Sequence, residues 1–390
     1  IIIRETGKSL REIQLSAQAN KRSGETNKCP IPERLTQFTV QVLSGGRVAT
    51  GVAAQQPFRL ELLAHVLKSM GDPDWEFPTQ LAEGLPLGVE EQTLRSPGIW
   101  PTKVELGKEY EGQEWDDYSW YEEHDPGRDI PTMPWENYSS SREHIDDIRL
   151  TLEEERDMGM VTGPHTLRET SNICKCWDSE IHHGALGARV EKDKVRTIYD
   201  ASVSGANDII RSNTAERSTC PTVSDGLHAS SWLHTHGDRR WLKPEHVPPS
   251  PCHGRELQET NKGERPMSST PRTPQDTEQP TVHASGGNQG TALFIADVSK
   301  AHRRCKIQSS GWKYQVSKLG DNEYWINMVG TYGVASAQLY WGRVAAILLR
   351  ILYSFFPQID WAFVYVDDFA LLIRALWAPI VGWSAMALLH

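Results

Sequence analysis

Three aspartates stand at the ends of apolar segments, where their carboxylates could do chemistry. Asp297 directly follows the apolar run 292–296, and Asp367 and Asp368 together separate two further apolar runs. Charged groups at the tip of an apolar hairpin are costly to place unless something compensates their charge. If the strand that carries Asp297 lies beside that hairpin, three carboxylates repel one another at close range.

A pair of divalent cations would relieve this repulsion. Mg²⁺ prefers a few carboxylate oxygens and fills its remaining positions with water and substrate phosphates. Two such ions, about 4 Å apart, can stabilise both the attacking hydroxyl and the leaving pyrophosphate of an in-line phosphoryl transfer. The three aspartates therefore predict a nucleotidyl-transfer site with two Mg²⁺ ions, for which Mn²⁺ is the expected substitute.

The elements that must position these aspartates are also predicted by the apolar pattern. The run 292–296 has the length of a buried strand, and the runs on either side of the aspartate pair predict the two arms of a β-hairpin. Ser336 is placed to cap a long helix that ends at Pro357, and Arg343 and Arg350 argue against a membrane span. Its apolar stripe consists of Leu339, Tyr340, Val344, Ile347, Leu348, Ile351, Leu352 and Phe355.

Further elements are predicted upstream. Apolar residues recur at helical spacing over 58–70, and Gly71 stops the pattern. A second amphipathic helix is predicted over 144–158, closed by Gly159. Residues 184–200 predict a β-hairpin with a charged turn.

Composition limits the class of protein. The chain has 390 residues, of which 38% are hydrophobic and 24% charged, which excludes a fibre and a fully disordered chain. Its 6 scattered cysteines and the lack of a secretory signal predict an intracellular protein of the nucleus or cytoplasm, not a secreted one. The net charge of −10 is unevenly distributed along the chain. Residues 101–157 hold 18 acidic and 6 basic residues, whereas residues 291–390 hold 9 basic and 6 acidic ones.

Four motifs resemble those of the retroelement reverse transcriptases, which are right-handed polymerases. In chain order they are Lys194–Asp200 (KVRTIYD), Asp297–His302 (DVSKAH), Tyr332–Ala337 (YGVASA) and Tyr365–Asp368 (YVDD). The segment 154–161 is similar to the helix that precedes them in the family, and the resemblance covers about residues 144–233 and 291–373. It implies an α+β fold with fingers and a palm, in which an antiparallel sheet is backed by helices.

The resemblance also implies roles for individual residues. Asp297, Asp367 and Asp368 would be the metal ligands, and Val298 would offer its backbone oxygen to the metal that accompanies the nucleotide. Arg196 would neutralise phosphate charge as a planar donor, and Lys194 would act as a looser point charge.

Further residues would line the nucleotide and the nucleic acid. Tyr332 and Gly333 would lie beside the nascent base pair, where glycine allows close approach of the backbone. His302 stands where the family carries an aromatic gate against ribose, so the resemblance predicts weaker discrimination against ribonucleotides. The basic floor near the nucleic acid would be formed by Lys300, Arg303, Arg304 and Lys306.

These observations predict an organisation in five parts. Residues 1–50 form a disordered or unassigned tail, 51–143 an acidic and aromatic-rich extension that packs on a neighbour or docks a partner, and 144–233 the fingers. Residues 234–290 are an irregular insertion, either a disordered loop or translated non-coding sequence, and 291–390 form the palm. The missing initiator Met and the 22 residues that follow Asp368 predict a fragment that stops before the thumb.

The expected function is that of a reverse transcriptase, which adds deoxynucleotides from their triphosphates to a primer on an RNA or DNA template, without a membrane partner. The alternative is a catalytically incomplete retroelement remnant that at most binds nucleic acid. An RNA-templated RNA polymerase is a third hypothesis, which His302 leaves open. A zinc site at Cys174, Cys176, His182 and His183 is disfavoured because the cysteine spacing is atypical, and buried thiols with surface imidazoles are expected instead.

Overall fold

The computed structural model describes residues 33–52, 56, 58–103, 136–191, 194–218, 220–236, 291–357, 359–374, 381 and 385. Within these ranges, helices alternate with antiparallel sheets, which makes the fold α+β. The expected tail over 1–32, the aromatic segment 104–135 and most of the insertion 234–290 lie outside the described residues.

The helices of the described residues, in chain order, are α1 Glu33–Ser44, α2 Leu60–Met70, α3 Phe77–Glu83, α4 Ser139–Glu143, α5 Ile145–Asp157, α6 Leu167–Cys174, α7 Ala206–Ser212, α8 Val223–His236, α9 Ser309–Trp312 and α10 Ala335–Phe355. Short 3₁₀ turns lie at Asp178–Glu180 and Ala301–Arg304. The helix α8 belongs to a separate unit that begins at Val223, and all the other elements belong to the first unit.

The strands of the described residues are β1 Val161–His165, β2 Ala185–Glu191, β3 Lys194–Asp200, β4 Thr291–Asp297, β5 Val316–Gly320, β6 Glu323–Asn327, β7 Ile359–Tyr365 and β8 Asp368–Arg374. They pair antiparallel in the orders β1-β6-β5, β2-β3 and β4-β8-β7. The predicted hairpin over 184–200 and the hairpin around the aspartate pair are therefore confirmed.

The sheet β4-β8-β7 has two different faces. Phe294 and Ala296 pack against the core, whereas the alternate residues Leu293 and Ile295 on β4 are 60% and 61% exposed. This alternation is the period-two pattern of a strand with one buried face. Asp297 continues the exposed series and so emerges at the end of β4 on the open face.

The core of the first unit surrounds α10, which spans 21 residues. Ion pairs join this helix to the segment before α3, from the buried Arg343 to Asp74 and from the half-buried Arg350 to Asp72. Charged hydrogen bonds satisfy these arginines, which explains how they fit in an apolar helix. No helix of the described ranges has the combination of length and apolar character that a membrane crossing needs.

The start of α10 differs from the prediction. Ser336 lies inside the first turn and is buried without a hydrogen-bond partner for its hydroxyl, and Val334 occupies the N-cap position. The side chain of Asn207 accepts the Ala335 N–H at 2.9 Å instead. A residue distant in sequence thus supplies the cap that Ser336 was expected to supply.

The helix α1 lies in the predicted tail, so the expectation of no structure over 1–50 is wrong for Glu33–Ser44. Val40 and Leu43 pack against the core from one side of this helix. Its threonines and valines have low intrinsic helix propensity. Its helical signal in the sequence is therefore weak, and tertiary packing stabilises the helix.

Helices α2 and α5 follow their predictions. Gly71 ends α2 in the left-handed conformation at φ 70°, and its N–H bonds back to Lys68 and Leu67 carbonyls. Helix α5 ends at Asp157, and Gly159 follows with φ 73°. In both cases a glycine takes the positive φ that terminates a helix at little steric cost.

Candidate active site

The three aspartates lie at one end of the sheet β4-β8-β7. Asp297 is the cross-strand partner of Asp368, and the N–H of Val298 donates to the carbonyl of Asp367 at 3.0 Å. Directly opposed residues of an antiparallel pair have Cβ atoms about 4.5–5.5 Å apart. The register therefore brings the carboxylate of the first motif next to the pair at the hairpin tip.

Electrostatics at this end of the sheet follow from the clustering. Desolvation raises the pKa of Asp297, and the carboxylates of Asp367 and Asp368 raise it further, whereas Lys194 and Arg196 oppose the shift. The repulsion predicted from the sequence is thus present, together with basic residues close enough to moderate it.

The donor set suits Mg²⁺ or Mn²⁺, because three carboxylates at one sheet end supply hard oxygen ligands. Desolvation and the neighbouring carboxylates both raise the pKa of Asp297, so a cation bound there would stabilise its charged form. Among the described residues, no group of three His, Cys, Asp or Glu side chains is drawn together tightly enough to hold an ion as the side chains stand. The strand register makes the aspartates neighbours, but their side chains do not already form a three-ligand metal site.

The turn that carries the aspartate pair has an uncommon backbone. Tyr365 pairs with Asp368, so Val366 and Asp367 are the central residues of a two-residue hairpin. Val366 has φ 55°, a conformation that β-branched residues rarely adopt. The buried indole of Trp341, on α10, donates its N–H to the Val366 carbonyl.

The β2–β3 hairpin places two basic residues near the aspartates. Lys194 and Arg196 are exposed, and both act on the carboxylate of Asp297. Arg196 also pairs with Glu191 across the hairpin at 2.6 Å. An exposed pair of this kind is weak, so the guanidinium remains available to an anionic ligand.

Gly333 has a close neighbour, but it is protein backbone. Its φ is +88°, and a Cβ atom at this position would lie 1.8 Å from the carbonyl oxygen of Tyr199 on β3. The side chain of Asn207 secures the same turn, since its amide donates to the Gly333 carbonyl at 2.8 Å. The glycine is therefore required for packing of the Tyr332–Gly333 turn onto β3, in addition to any contact with a ligand.

His302 and Tyr332 form an aromatic pair beside the aspartates. Their ring centroids are 5.0 Å apart and their planes meet at 61°. Burial lowers the pKa of His302, and the charge of Asp367 opposes the shift. Tyr332 is 41% exposed and His302 is partly buried, so the phenol ring is the more accessible member of the pair.

Of the four residues expected to form a basic floor, one is buried and three are partly exposed. Arg303 is 2% exposed and binds Glu155, Asn327 and Thr331 inside the protein, so its expected contact with nucleic acid is wrong. The physical reason is the buried carboxylate of Glu155, which requires a cation beside it.

The other three basic residues are also engaged with the protein. Lys300 pairs with Glu155 at 3.0 Å, Arg304 donates to the Ser299 carbonyl at 3.0 Å, and Lys306 donates to the Ala82 carbonyl at 3.3 Å. All three are partly exposed.

Sequence reasoning missed four residues that shape the site: Tyr199, Asn207, Trp341 and Glu155. Each acts through a contact with a residue more than 20 positions away. Only Glu155 carried a signal, as an acid on the inward face of a helix predicted to be amphipathic.

Cys174, Cys176, His182 and His183, the residues of the disfavoured zinc site, are all partly exposed, which differs from the expected buried thiols and surface imidazoles. Burial raises the pKa of Cys174. His182 stacks on Tyr314 at 5.2 Å, and the described residues contain no cluster suited to a metal at these cysteines.

Comparison with known proteins adds no family. No family model matches the chain, and no curated protein matches it.

Proposed function

We propose that this chain is a reverse-transcriptase-like nucleotidyltransferase, in which residues 144–233 correspond to the fingers and 291–390 to the palm. One observation carries the proposal: Asp297 is the direct cross-strand partner of Asp368. In addition, Val298, the residue after Asp297, donates a backbone hydrogen bond to the carbonyl of Asp367. Two separate motifs of the sequence thus meet at one sheet end, as the chemistry of paired cations requires.

The arrangement of charges supports a phosphorylated substrate. The charges of Lys194 and Arg196 on the β2–β3 hairpin act on the carboxylate of Asp297 at the sheet end. In this proposal the aspartates Asp297, Asp367 and Asp368 hold the ions, and the backbone oxygen of Val298 is a further ligand. Arg196 and Lys194 bind the phosphate oxygens and offset their charge.

Two Mg²⁺ ions, when bound, supply stabilisation of the negative charge that develops on the attacking and leaving oxygens. The protein contributes position. The paired strands β4 and β8 fix the main chain of Asp297 and Asp368, and the closely packed Gly333 turn fixes β3 relative to α10. In this proposal the half-buried His302 and the exposed Tyr332 contact the sugar and base of the nucleotide.

Primer extension tests the proposal. The full chain is incubated with a primed RNA template, deoxynucleoside triphosphates and Mg²⁺, beside Asp367→Asn. Asp321→Asn is the matched control, because this side chain is 100% exposed in the β5–β6 turn.

Extension by the wild type and by Asp321→Asn, with loss of at least about 100-fold in Asp367→Asn, is the expected result. Template binding without extension would favour the non-catalytic remnant, and incorporation of ribonucleotides alone would favour an RNA polymerase. Strong rejection of ribonucleotides by an active enzyme would refute the weak sugar gate proposed for His302.

A further inference from the structure

The aspartate hairpin depends on an unusual turn residue. Two-residue hairpin turns need positive φ at their first central position, and glycine, asparagine or aspartate normally occupies it. Here that position is Val366, with φ 55°. A valine in this conformation is strained, and such strain persists only where surrounding structure holds it.

The surrounding structure that holds this turn is the indole of Trp341. Trp341 is 1% exposed within α10, and its N–H donates to the carbonyl of Val366. That carbonyl belongs to the peptide unit that leads into Asp367, so the bond fixes the orientation of this peptide. On the other side, the Asp367 carbonyl accepts the N–H of Val298 at 3.0 Å. Asp367 is therefore held through the peptide on each side of it.

We propose that Trp341 is a positioning residue, which holds the Val366 turn in its left-handed conformation and thereby orients Asp367 toward Asp297. Its catalytic consequence rests on the proposed function, but its structural consequence does not. The role differs from ordinary core packing, because it requires the indole N–H and not only the apolar area of the ring.

Three variants of the full chain separate these roles. Trp341→Phe keeps an aromatic ring and removes the N–H. Trp312→Phe is the matched control, because the Trp312 indole also donates to a backbone carbonyl, that of Ile307, at 3.0 Å. The double variant Trp341→Phe/Val366→Gly replaces the strained residue by glycine, which adopts positive φ without the indole.

The main readout is hydrogen exchange of the peptide that contains the Val298 amide, since this amide reports the position of the Asp367 carbonyl. We expect exchange about tenfold faster in Trp341→Phe, wild-type exchange in Trp312→Phe, and recovery to within about threefold of wild type in the double variant. The Mn²⁺ dissociation constant, measured with the metal alone, should follow the same order.

Equal exchange in Trp341→Phe and Trp312→Phe would overturn the proposal. Two further results would overturn it, because the ring would then serve the core alone. In the first, Val366→Gly does not restore exchange protection of the Val298 amide. In the second, neither Trp341→Phe nor the double variant folds. The predicted exchange pattern in a chain that does not extend primers would leave Trp341 as the positioning residue and refute the polymerase.

Discussion

Replacing Gly333 by alanine tests whether the turn before α10 must touch β3. The added Cβ would lie 1.8 Å from the Tyr199 carbonyl oxygen, and contacts under 3.0 Å essentially never occur. Either the turn or β3 must therefore move by at least about 1.2 Å. Such a movement would also stretch the bonds that Asn207 makes to the Gly333 carbonyl and the Ala335 N–H.

The size of the effect follows from these contacts. A left-handed conformation costs alanine about 1–2 kcal/mol relative to glycine. Breaking a buried hydrogen bond and leaving its partner unsatisfied costs about 1–3 kcal/mol more. We therefore expect Gly333→Ala to lower the free energy of unfolding by about 2–5 kcal/mol.

Urea unfolding, followed by circular dichroism, measures this loss. Gly98→Ala is the control, because Gly98 also has positive φ, +73°, but nothing lies within 4 Å of the added Cβ. That variant should lose only the conformational part, about 1–2 kcal/mol. Equal losses in the two variants would refute the close packing of the turn on β3.

Three further predictions concern charged residues. Asp297→Asn should raise the free energy of unfolding at pH 7, without divalent ions, by less than about 1 kcal/mol after solvent screening, because it removes a repelled charge. This gain, measured by calorimetry, should vanish as the pH falls below the ordinary carboxyl range. A lower free energy of unfolding in the variant would contradict the prediction. Burial pushes the pKa of Asp72 upward, but hydrogen bonds and charge from Arg350 lower it overall. Asp72→Asn should therefore lower the free energy of unfolding by about 1–3 kcal/mol at pH 7, and urea titrations should show this loss shrinking below about pH 4. A loss that does not change with pH would refute the ion pair. Glu155→Gln leaves Arg303 buried without its carboxylate and should cost about 3–5 kcal/mol in thermal unfolding, so a loss below about 1 kcal/mol would show that the buried pair is unimportant.

Local patterns in the sequence predicted local structure well. The helix α2, its end at Gly71 and the β2–β3 hairpin follow from spacing, because the signal and the structure involve the same few residues. The apolar strand that delivers Asp297 was predicted for the same reason.

Local sequence patterns do not predict contacts between distant segments. Arg303 lies in a run of basic residues that suggested a surface, yet a carboxylate from α5 draws it into the interior. Similarly, the partner of Gly333 is a carbonyl on β3, and a glycine in a turn does not reveal which backbone it must approach. Burial and pairing of this kind depend on the assembled fold, so sequence spacing alone does not predict them.

The dependence of Val366 on Trp341 shows the same limit. A valine in the position of a hairpin turn argues against a tight turn on local grounds. The indole that compensates it comes from a helix that precedes the hairpin. Non-local support of a locally unfavourable residue is expected at functional sites.

Iron-directed cleavage would test most directly whether the three aspartates hold metal ions. Fe²⁺ replaces Mg²⁺ in the full chain, and ascorbate with peroxide generates radicals that cut the backbone next to the bound ion. We predict cuts beside both Asp297 and Asp367, suppressed by excess Mg²⁺ and lost in Asp367→Asn. Cuts at other positions only, or cuts that persist unchanged in Asp367→Asn, would contradict the assignment of this sheet end as the metal site.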